Sequence, residues 1–252
     1  MKRIITFIMA LALAVSVQLA NPRALAQTVA NTPAVGDTVC FGLYDQGEGC
    51  AGEKSVIEWT VLDEKDGMLL LLANSGLETG AFNEEKQHVT WAECSLRTWL
   101  NCAFLFDAFS AQEQDAIQWT ELATPGGSFT SPVTHEKIRI SPAPDTVDKV
   151  FLLSVAEALK YMPKTTQRRS KNNPYLLDMP EESMPFPAEA DPCDFTYGNW
   201  WLRDVRKDNG IKSGFHVKSN GSIASAGQIN LQRYVIRPAL WVDAFYPFEF
   251  GY

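Results

Sequence analysis

The chain has few of the residues and motifs from which catalytic centres are usually recognised. Its three histidines, His88, His135 and His216, are scattered without the spacing of a zinc site. No Gly-x-Ser-x-Gly motif is present, which leaves serine hydrolase chemistry without support. No segment repeats at the period of a solenoid or a propeller. We therefore expect no metal and no cofactor, and the sequence identifies no catalytic residue.

The sequence also lacks an excess of positive charge. Lys and Arg number 22 against 30 Asp and Glu, and the formal net charge of −8 argues against nucleic acid as a partner because phosphate backbones are repelled. Beyond the N-terminal run, no segment reaches the ~18 apolar residues that a membrane-spanning helix needs. Hydrophobic residues make up 46% of the chain, which is enough for one sizeable core.

The first 26 residues have the pattern of an export signal. The basic pair Lys2-Arg3 precedes an apolar run over 4–20, and Ala24-Leu25-Ala26 has the small-x-small form of a cleavage site. Gln18 inside the run favours removal of the segment over its retention as a membrane anchor. We expect a secreted or extracytoplasmic protein, periplasmic or on the cell surface, with no membrane span after cleavage.

The remaining chain is predicted to form a short linker over 27–35 and a single domain over 36–246. A Pro-rich stretch over 163–196 interrupts this domain, and its first part is basic and its second part acidic. Loops of this length are solvated insertions or flaps that border a binding face, and both interpretations stay open.

Export makes disulfides possible for the five cysteines, but an odd number leaves at least one thiol over. Cys40 and Cys50 flank a turn-prone stretch, and we expect either a disulfide that closes this loop or two free thiols. Cys94 and Cys102 are predicted to share a helix. Eight residues of helix separate them by ~12 Å, too far for a bridge, and they are expected to be buried as small apolar residues.

Eight segments have the alternation or the apolar runs that are typical of strands. They are 36–42, 56–62, 68–73, 137–140, 150–153, 215–218, 223–224 and 234–242. Asp66-Gly67 and Asn220-Gly221 predict tight hairpin turns, and Pro238 predicts an edge, a bulge or a strand end.

Three helices are predicted to begin at capping boxes, in which a hydroxyl and a carboxylate three residues apart satisfy the first-turn amides. The pairs are Thr90 with Glu93, Ser110 with Glu113, and Ser154 with Glu157. Strands and helices in this order predict an α+β fold with a mixed or antiparallel sheet, two to three helices and long loops.

Motifs along nearly the whole chain after the export signal resemble those of a bacterial exported domain, the domain-of-unknown-function family 6273. They are Gly36-Asp37-Thr38-Val39, Ile57-Glu58-Trp59, Thr90-Trp91 with Leu96-Arg97 and Trp99-Leu100-Asn101, Ala108-Phe109-Ser110, Lys149 to Ser154, Trp200-Trp201-Leu202-Arg203 and Arg237-Pro238-Ala239-Leu240-Trp241. Two departures from the family pattern are Asp204-Val205 after Arg203, and Val235-Ile236 before Arg237.

This resemblance implies a C-type-lectin-like fold, which formylglycine-generating enzymes also use, with a ligand face built from C-terminal loops and strands. The copper-binding cysteine pair of those enzymes is not expected here, because Cys193 is the single cysteine of the C-terminal half. Asp204, Asp208, Asn209 and Asn199 form the nearest approach to a lectin calcium site, but the Glu-Pro-Asn or Gln-Pro-Asp triplet is missing.

The expected ligand contacts are the polar side chains between the two tryptophan motifs, together with Trp200. These side chains are Asp204, Arg206, Asp208, Asn209, Lys212, His216, Lys218, Asn220, Gln228, Asn230 and Gln232. The alternative is an ordinary solvated hairpin surface with both tryptophans structural. Because Trp200 and Trp201 point to opposite faces of a strand, we expect at most one of them to need burial. Arg203 and Arg237 are expected to bind carbonyls or carboxylates within the fold.

The leading hypothesis is an exported, non-enzymatic module that binds a glycan, peptide or protein, and its functional step rests on analogy of fold. The alternative is an exported hydrolase or cell-wall-modifying enzyme with paired carboxylates, which would have a carboxylate of strongly shifted pKa in a deep pocket. A structural or adhesion domain would instead present a flat apolar patch.

Overall fold

The computed structural model describes residues 32–46, 52–132, 135–172, 197–207, 213–232 and 234–251. Pro33–Tyr252 forms one compact unit. The predicted export signal and the acidic part of the Pro-rich stretch, residues 173–196, lie outside the described residues. In the described part of the chain, no helix is long and apolar enough to cross a membrane.

The fold is α+β, as the sequence predicts. The strands are β1 (Thr38–Tyr44), β2 (Ser55–Lys65), β3 (Met68–Ala73), β4 (Ser75–Gly76), β5 (Glu78–Gly80), β6 (Thr120–Leu122), β7 (Gly127–Thr130), β8 (Lys137–Ile140), β9 (Thr146–Asp148), β10 (Val150–Phe151), β11 (Ser170–Asn172), β12 (Tyr197–Gly198), β13 (Trp200–Val205), β14 (Ser213–Val217), β15 (Ile223–Gln228), β16 (Tyr234–Ile236), β17 (Ala239–Asp243) and β18 (Glu249–Phe250). The helices are α1 (Ser95–Trp99), α2 (Leu105–Ala108), α3 (Ala111–Ala116), α4 (Val155–Tyr161) and α5 (Thr165–Arg168). A 3-10 turn over Trp91–Glu93 precedes α1, and a π-helical turn over Leu100–Phe104 joins α1 to α2.

The large sheet has the strand order β10-β17-β3-β2-β1-β18, and its neighbouring strands are antiparallel. Its centre is β3, an apolar run buried from Leu69 to Ala73, which fits a strand covered on both faces. The β2–β3 turn has Asp66 at φ 53° and Gly67 at φ 76°, the positive values that a tight hairpin turn requires. The predicted hairpin is therefore confirmed.

The second sheet has the order β15-β14-β13-β16-β5, with β13 and β16 parallel and the other pairs antiparallel. The predicted strand over 234–242 is wrong as a single element. It divides at Arg237-Pro238 into β16, in the second sheet, and β17, in the large sheet. Proline has no N–H to donate to a ladder, so the strand end expected at Pro238 is confirmed.

Three smaller sheets complete the described strands. The strands β12, β11 and β4 form a three-stranded sheet in which β11 and β4 are parallel, and the pairs β6–β9 and β7–β8 are antiparallel ribbons. The predicted strand 137–140 coincides with β8. Strand β18 pairs with β1 and so lies beyond residue 246, where the sequence analysis ends the domain.

A buried carboxylate attaches the first helical segment, which comprises the 3-10 turn and α1 (residues 91–99), to the β6–β9 ribbon. Asp148 accepts hydrogen bonds from Trp91 Nε1 at 2.9 Å, Arg97 Nε at 2.7 Å and Thr146 Oγ1 at 2.8 Å. The predicted capping box at Thr90 is wrong. The Thr90 side chain makes no cap hydrogen bond, because α1 begins only at Ser95 and is capped by Cys94, whose Sγ accepts from Arg97 N.

The other two capping boxes are confirmed, at Ser110 with Glu113 and at Ser154 with Glu157. Both glutamates also bind elsewhere in the fold. Glu113 accepts a hydrogen bond from Gly42 N at 3.0 Å, which attaches α3 to β1. Glu157 accepts from Arg203 Nη2 at 2.9 Å, which attaches α4 to β13.

The β14–β15 turn packs tightly against α5. Gly221 has φ 83°, and a Cβ at this position would lie 1.9 Å from the backbone oxygen of Thr165. The Gly221 carbonyl also accepts from Arg168 Nε at 2.9 Å. Glycine is required here both for its backbone conformation and for the closeness of α5.

We expect Gly221→Ala to lower the free energy of unfolding by at least ~2 kcal/mol more than Gly36→Ala. Gly36 is the matched control because its φ is also positive, at 98°, while a Cβ there would have nothing within 4 Å. Denaturant unfolding of both variants measures the difference. Equal destabilisation would show that the contact with α5 contributes nothing.

Candidate functional site

The expected exposure of the C-terminal polar surface is wrong for three of its candidate residues. Trp200, Asp204 and His216 are buried, because β13 and β14 are interior strands of the second sheet and are covered on both faces. These three side chains are parts of the core, and none of them is accessible to a ligand in this structure.

Both tryptophans of the Trp-Trp pair are fully buried, whereas their alternation along a strand predicts that at most one needs burial. Trp200 donates its indole N–H to the Arg168 carbonyl at 2.9 Å. Trp201, on the opposite face of β13, donates to the Gly80 carbonyl at 2.8 Å. Each ring therefore anchors a different neighbouring segment, and the structural interpretation of the pair holds.

Asp204 is a structural carboxylate at the start of α4. It accepts a hydrogen bond from Val155 N at 2.6 Å, and burial raises the pKa of its carboxyl. Arg206 is half-buried, and its Nη2 lies 3.4 Å from Oε1 of Glu136, the residue just before β8. The Asp204 carboxylate is bound to the backbone of α4, and the described residues contain no group of three metal-ligating side chains.

The two motif arginines bind within the fold, as the sequence analysis expects. Arg203 donates to the Leu152 carbonyl at 3.0 Å and pairs with Glu157. Arg237 donates from Nε to the Ala73 carbonyl at 2.7 Å, and its guanidinium lies 5.2 Å from the ring centroid of Trp200. Complete burial lowers the pKa of Arg237 to about 10.

His216 packs edge-on against two stacked aromatic rings, with centroid distances of 4.9 Å to Tyr234 and 6.2 Å to Trp201. Its Nδ1 is buried and has no hydrogen-bond partner among the described residues. Burial is the main reason that the pKa of His216 falls to about 4. The imidazole is consequently neutral at ordinary pH.

The other candidate contacts remain predictions. Lys218 and Asn230 are partly exposed, and Asn220, Gln228 and Gln232 are exposed. Asp208, Asn209 and Lys212 lie outside the described residues.

The predicted Cys40–Cys50 disulfide is untested, since Cys50 lies outside the described residues and Cys40 is bonded to no cysteine within them. Cys94 is buried as expected, and burial raises its pKa to about 12. The expectation that Cys102 is also buried is wrong. It is exposed because it occupies the outer side of the π-helical turn.

A cleft of about 310 Å³ opens where the second sheet meets the first helical segment. One wall is β5, followed by Ala81, and the other is α1. Tyr44 of β1 contributes to the lining, as do the C-terminal residues Gln232 and Ile236. The full lining is Tyr44, Glu78, Thr79, Gly80, Ala81, Glu84, Ser95, Leu96, Trp99, Gln232 and Ile236.

Backbone hydrogen bonds fix the two walls of the cleft against each other. Phe82, just after β5, accepts from Leu96 N at 3.3 Å, and Ser95 Oγ accepts from Glu84 N at 3.0 Å. Asn83 binds both sides, because its Oδ1 accepts from Ser95 N at 3.1 Å and its own N–H donates to the Ile229 carbonyl at 2.9 Å. The walls are therefore preorganised.

The cleft combines an apolar face with polar groups. Trp99 is half-buried, and its ring is held by Phe104 at a centroid distance of 5.4 Å. Glu84 and Gln232 are exposed at the cleft, whereas Leu96 is buried beneath it. Pockets of this kind, with an aromatic face and a few polar groups, are typical of small-ligand sites, and this volume is near the lower end of their range.

Glu78 is the most perturbed acid of the cleft. Burial raises the pKa of its carboxyl, and repulsion from Asp45 acts in the same direction. Hydrogen bonds from Tyr44 Oη at 3.1 Å and Thr79 N at 3.2 Å oppose this effect without cancelling it. Burial also raises the pKa of Tyr44, so its hydroxyl stays protonated and can donate to Glu78.

Sequence reasoning missed most of this site. Trp99 stands out in the sequence as part of the motif Trp99-Leu100-Asn101, with no indication of a ligand contact, and nothing in the pattern distinguishes Glu78 from the other acids. The strand β5 is too short to produce an alternation signal. Gln232 is one of the predicted polar contacts, and it is the cleft's link to the C-terminal segment.

Comparison with protein-family models finds a match. The model of a domain of unknown function, DUF6273, matches residues 66–244, which is more than half of the chain. The chain belongs to this family. A search of the curated proteins finds no match, and neither does a search of the solved structures. The DUF6273 match includes both cleft walls and excludes Tyr44.

We expect this DUF6273 domain to lose stability on mild acidification through His216. The unfolded histidine has a pKa of 6.5 and the folded one a pKa of about 4. Between these values the unfolded chain binds a proton that the folded chain does not, so the free energy of unfolding falls as pH decreases from 6.5 towards 4.

The variant His216→Gln should remove this part of the dependence, on the order of 2–3 kcal/mol across that range. Urea unfolding of both proteins at several pH values between 7.5 and 4.5 measures it. Parallel stability curves for the two proteins would contradict the assignment.

Proposed function

We propose that this DUF6273 domain is an exported, non-enzymatic binding module that holds a glycan in the cleft between β5 and α1. The observation that carries the proposal is the half-buried Trp99 ring beside hydrogen-bonding groups in one preorganised cleft. A sugar ring has an apolar face that stacks on tryptophan, while its hydroxyls need acceptors and donors. Glu78, Ser95 and Gln232 supply these.

This cleft differs from the ligand face predicted from the sequence, which lies on the C-terminal hairpins. Among the candidate contacts, Gln232 lines the cleft, whereas Trp200, Asp204 and His216 are buried and form no part of its lining. Export is supported by the pattern of residues 1–26 alone. A C-type-lectin-like arrangement is supported by the small mixed sheet formed chiefly by C-terminal strands.

One observation favours the alternative of a hydrolase. Glu78 has a raised pKa in a cleft that also contains Glu84, and glycoside hydrolases commonly pair a carboxylic acid of raised pKa with a second carboxylate. Release of reducing sugar from a panel of polysaccharides, measured with the wild type and Glu78→Gln, tests this alternative. If the wild type releases reducing sugar and Glu78→Gln does not, the domain is a glycoside hydrolase and the non-enzymatic proposal is wrong.

A glycan array probed with the purified protein tests the proposed function directly. For the best glycan found, Trp99→Ala should weaken affinity at least about fivefold, since a stacked aromatic ring contributes roughly 1–3 kcal/mol. Trp119→Ala is the matched control, because Trp119 is 64% exposed and lies outside the cleft lining.

Isothermal titration calorimetry with both variants gives the affinities, and thermal melting shows whether Trp99→Ala still folds. Since Trp99 packs on Phe104, Trp99→Phe provides a second variant that keeps an aromatic ring. Equal loss in the Trp119 variant, or no binding to any glycan, would exclude the cleft as a sugar site.

A further inference from the structure

The charged groups of the cleft indicate which chemical class of ligand it favours. Its lining includes the carboxylates of Glu78 and Glu84, and no lysine or arginine of the described residues is part of it. Two other interior carboxylates have basic partners, since Asp148 pairs with Arg97 and Glu157 with Arg203, and buried Asp204, which lies outside the cleft lining, accepts from the Val155 N–H. Glu78 differs from Asp148 and Glu157 in this respect.

Every hydrogen bond described at the Glu78 carboxylate comes from a neutral donor, the Tyr44 hydroxyl or the Thr79 amide. A partly buried carboxylate in this state is destabilised in its charged form, which is consistent with the raised pKa of Glu78. A cation that entered the cleft would supply the missing charge partner, and hydrogen bonds between charged groups are roughly twice as strong as neutral ones.

The neighbouring groups restrict what the cation can be. Trp99 presents a flat aromatic surface, which also attracts cations, and Ser95 and Gln232 offer hydroxyl and amide groups at the other side of the lining. A bare metal ion would need several oxygen ligands, and the described residues contain no such cluster. An organic cation on a hydroxylated ring suits all of these groups at once.

We propose that the cleft selects an amino sugar with a free ammonium group, which Glu78 binds as its charge partner while the pyranose ring lies on Trp99. This inference rests on the proposed glycan-binding function and specifies its ligand. An N-acetylated sugar of the same size lacks the charge and would leave the Glu78 carboxylate without a cationic partner. Discrimination between the two sugars is therefore the property to measure.

The experiment compares four probes by isothermal titration calorimetry at 150 mM salt, which suppresses long-range attraction to the acidic protein. They are the tetramer of glucosamine, the tetramer of N-acetylglucosamine, cellotetraose and tetralysine. We expect the glucosamine tetramer to bind at least about tenfold more tightly than each of the other three. Glu78→Gln, which keeps an acceptor for Tyr44 but removes the charge, should bring the ratio of glucosamine to N-acetylglucosamine affinity close to one.

Glu121→Gln is the matched control, since it removes the same charge from an exposed position in β6, outside the cleft lining. This variant should keep the wild-type ratio, and thermal melting of both variants establishes that they fold. A ratio that falls equally in Glu121→Gln would reveal non-specific attraction and overturn the inference.

The remaining outcomes separate the two proposals. If the wild type binds the three sugars with equal affinity and Trp99→Ala binds none of them, the selection of an ammonium group is overturned, and the glycan-binding function is supported. Tighter binding of tetralysine than of any sugar overturns the amino sugar and assigns the cation to a peptide. No binding of any sugar, here and on the array, overturns both proposals.

Discussion

The arrangement of this fold depends on one buried arginine. Arg237 lies at the point where the chain leaves the second sheet for the large sheet, and its Nε donates to the Ala73 carbonyl at the end of β3. The Pro238 carbonyl in turn accepts from Ala73 N at 3.0 Å, so the two segments are bound in both directions. The guanidinium also lies over Trp200. Because a buried charge is costly without compensating contacts, the Ala73 carbonyl and the Trp200 ring restrict where this guanidinium can lie, although its Nη1 has no hydrogen-bond partner among the described residues.

The cleft is a product of the same junction. Ile236, directly before Arg237, lines it and pairs with Glu78 in β5. Trp201, on the strand beside β16, holds the end of β5 through the Gly80 carbonyl. The position of Glu78 relative to Trp99 is therefore set by buried aromatic and arginine contacts that no ligand touches. This explains why the most conspicuous aromatic motif of the sequence supports the candidate site without forming its surface.

Strands, turns and helix caps were predictable where their causes lie within a few residues. The burial of the C-terminal polar residues was not, because it depends on tertiary contacts. The run 68–73, the turn Asp66-Gly67 and the boxes at Ser110 and Ser154 have causes within a few residues, and all are confirmed. Burial of His216 depends on the sheet order, which brings covering elements from distant parts of the chain. Polar residues between two tryptophan motifs therefore suggested an exposed surface where the strands are interior. The cleft was not predicted for the same reason, since its lining comes from segments that are distant along the chain.

The pairing of the large sheet has a practical consequence for anyone working with the family boundaries. The strands β1 and β2 precede residue 66 and β18 follows residue 244, yet all three belong to the sheet whose centre is β3. A fragment trimmed to 66–244 would lose the whole flank next to β3. The Leu69–Ala73 backbone would then present an open apolar edge, the kind that recruits other chains into intermolecular β-sheet. Such a fragment should form aggregates on expression, whereas one that begins at residue 33 and includes β18 keeps this edge paired.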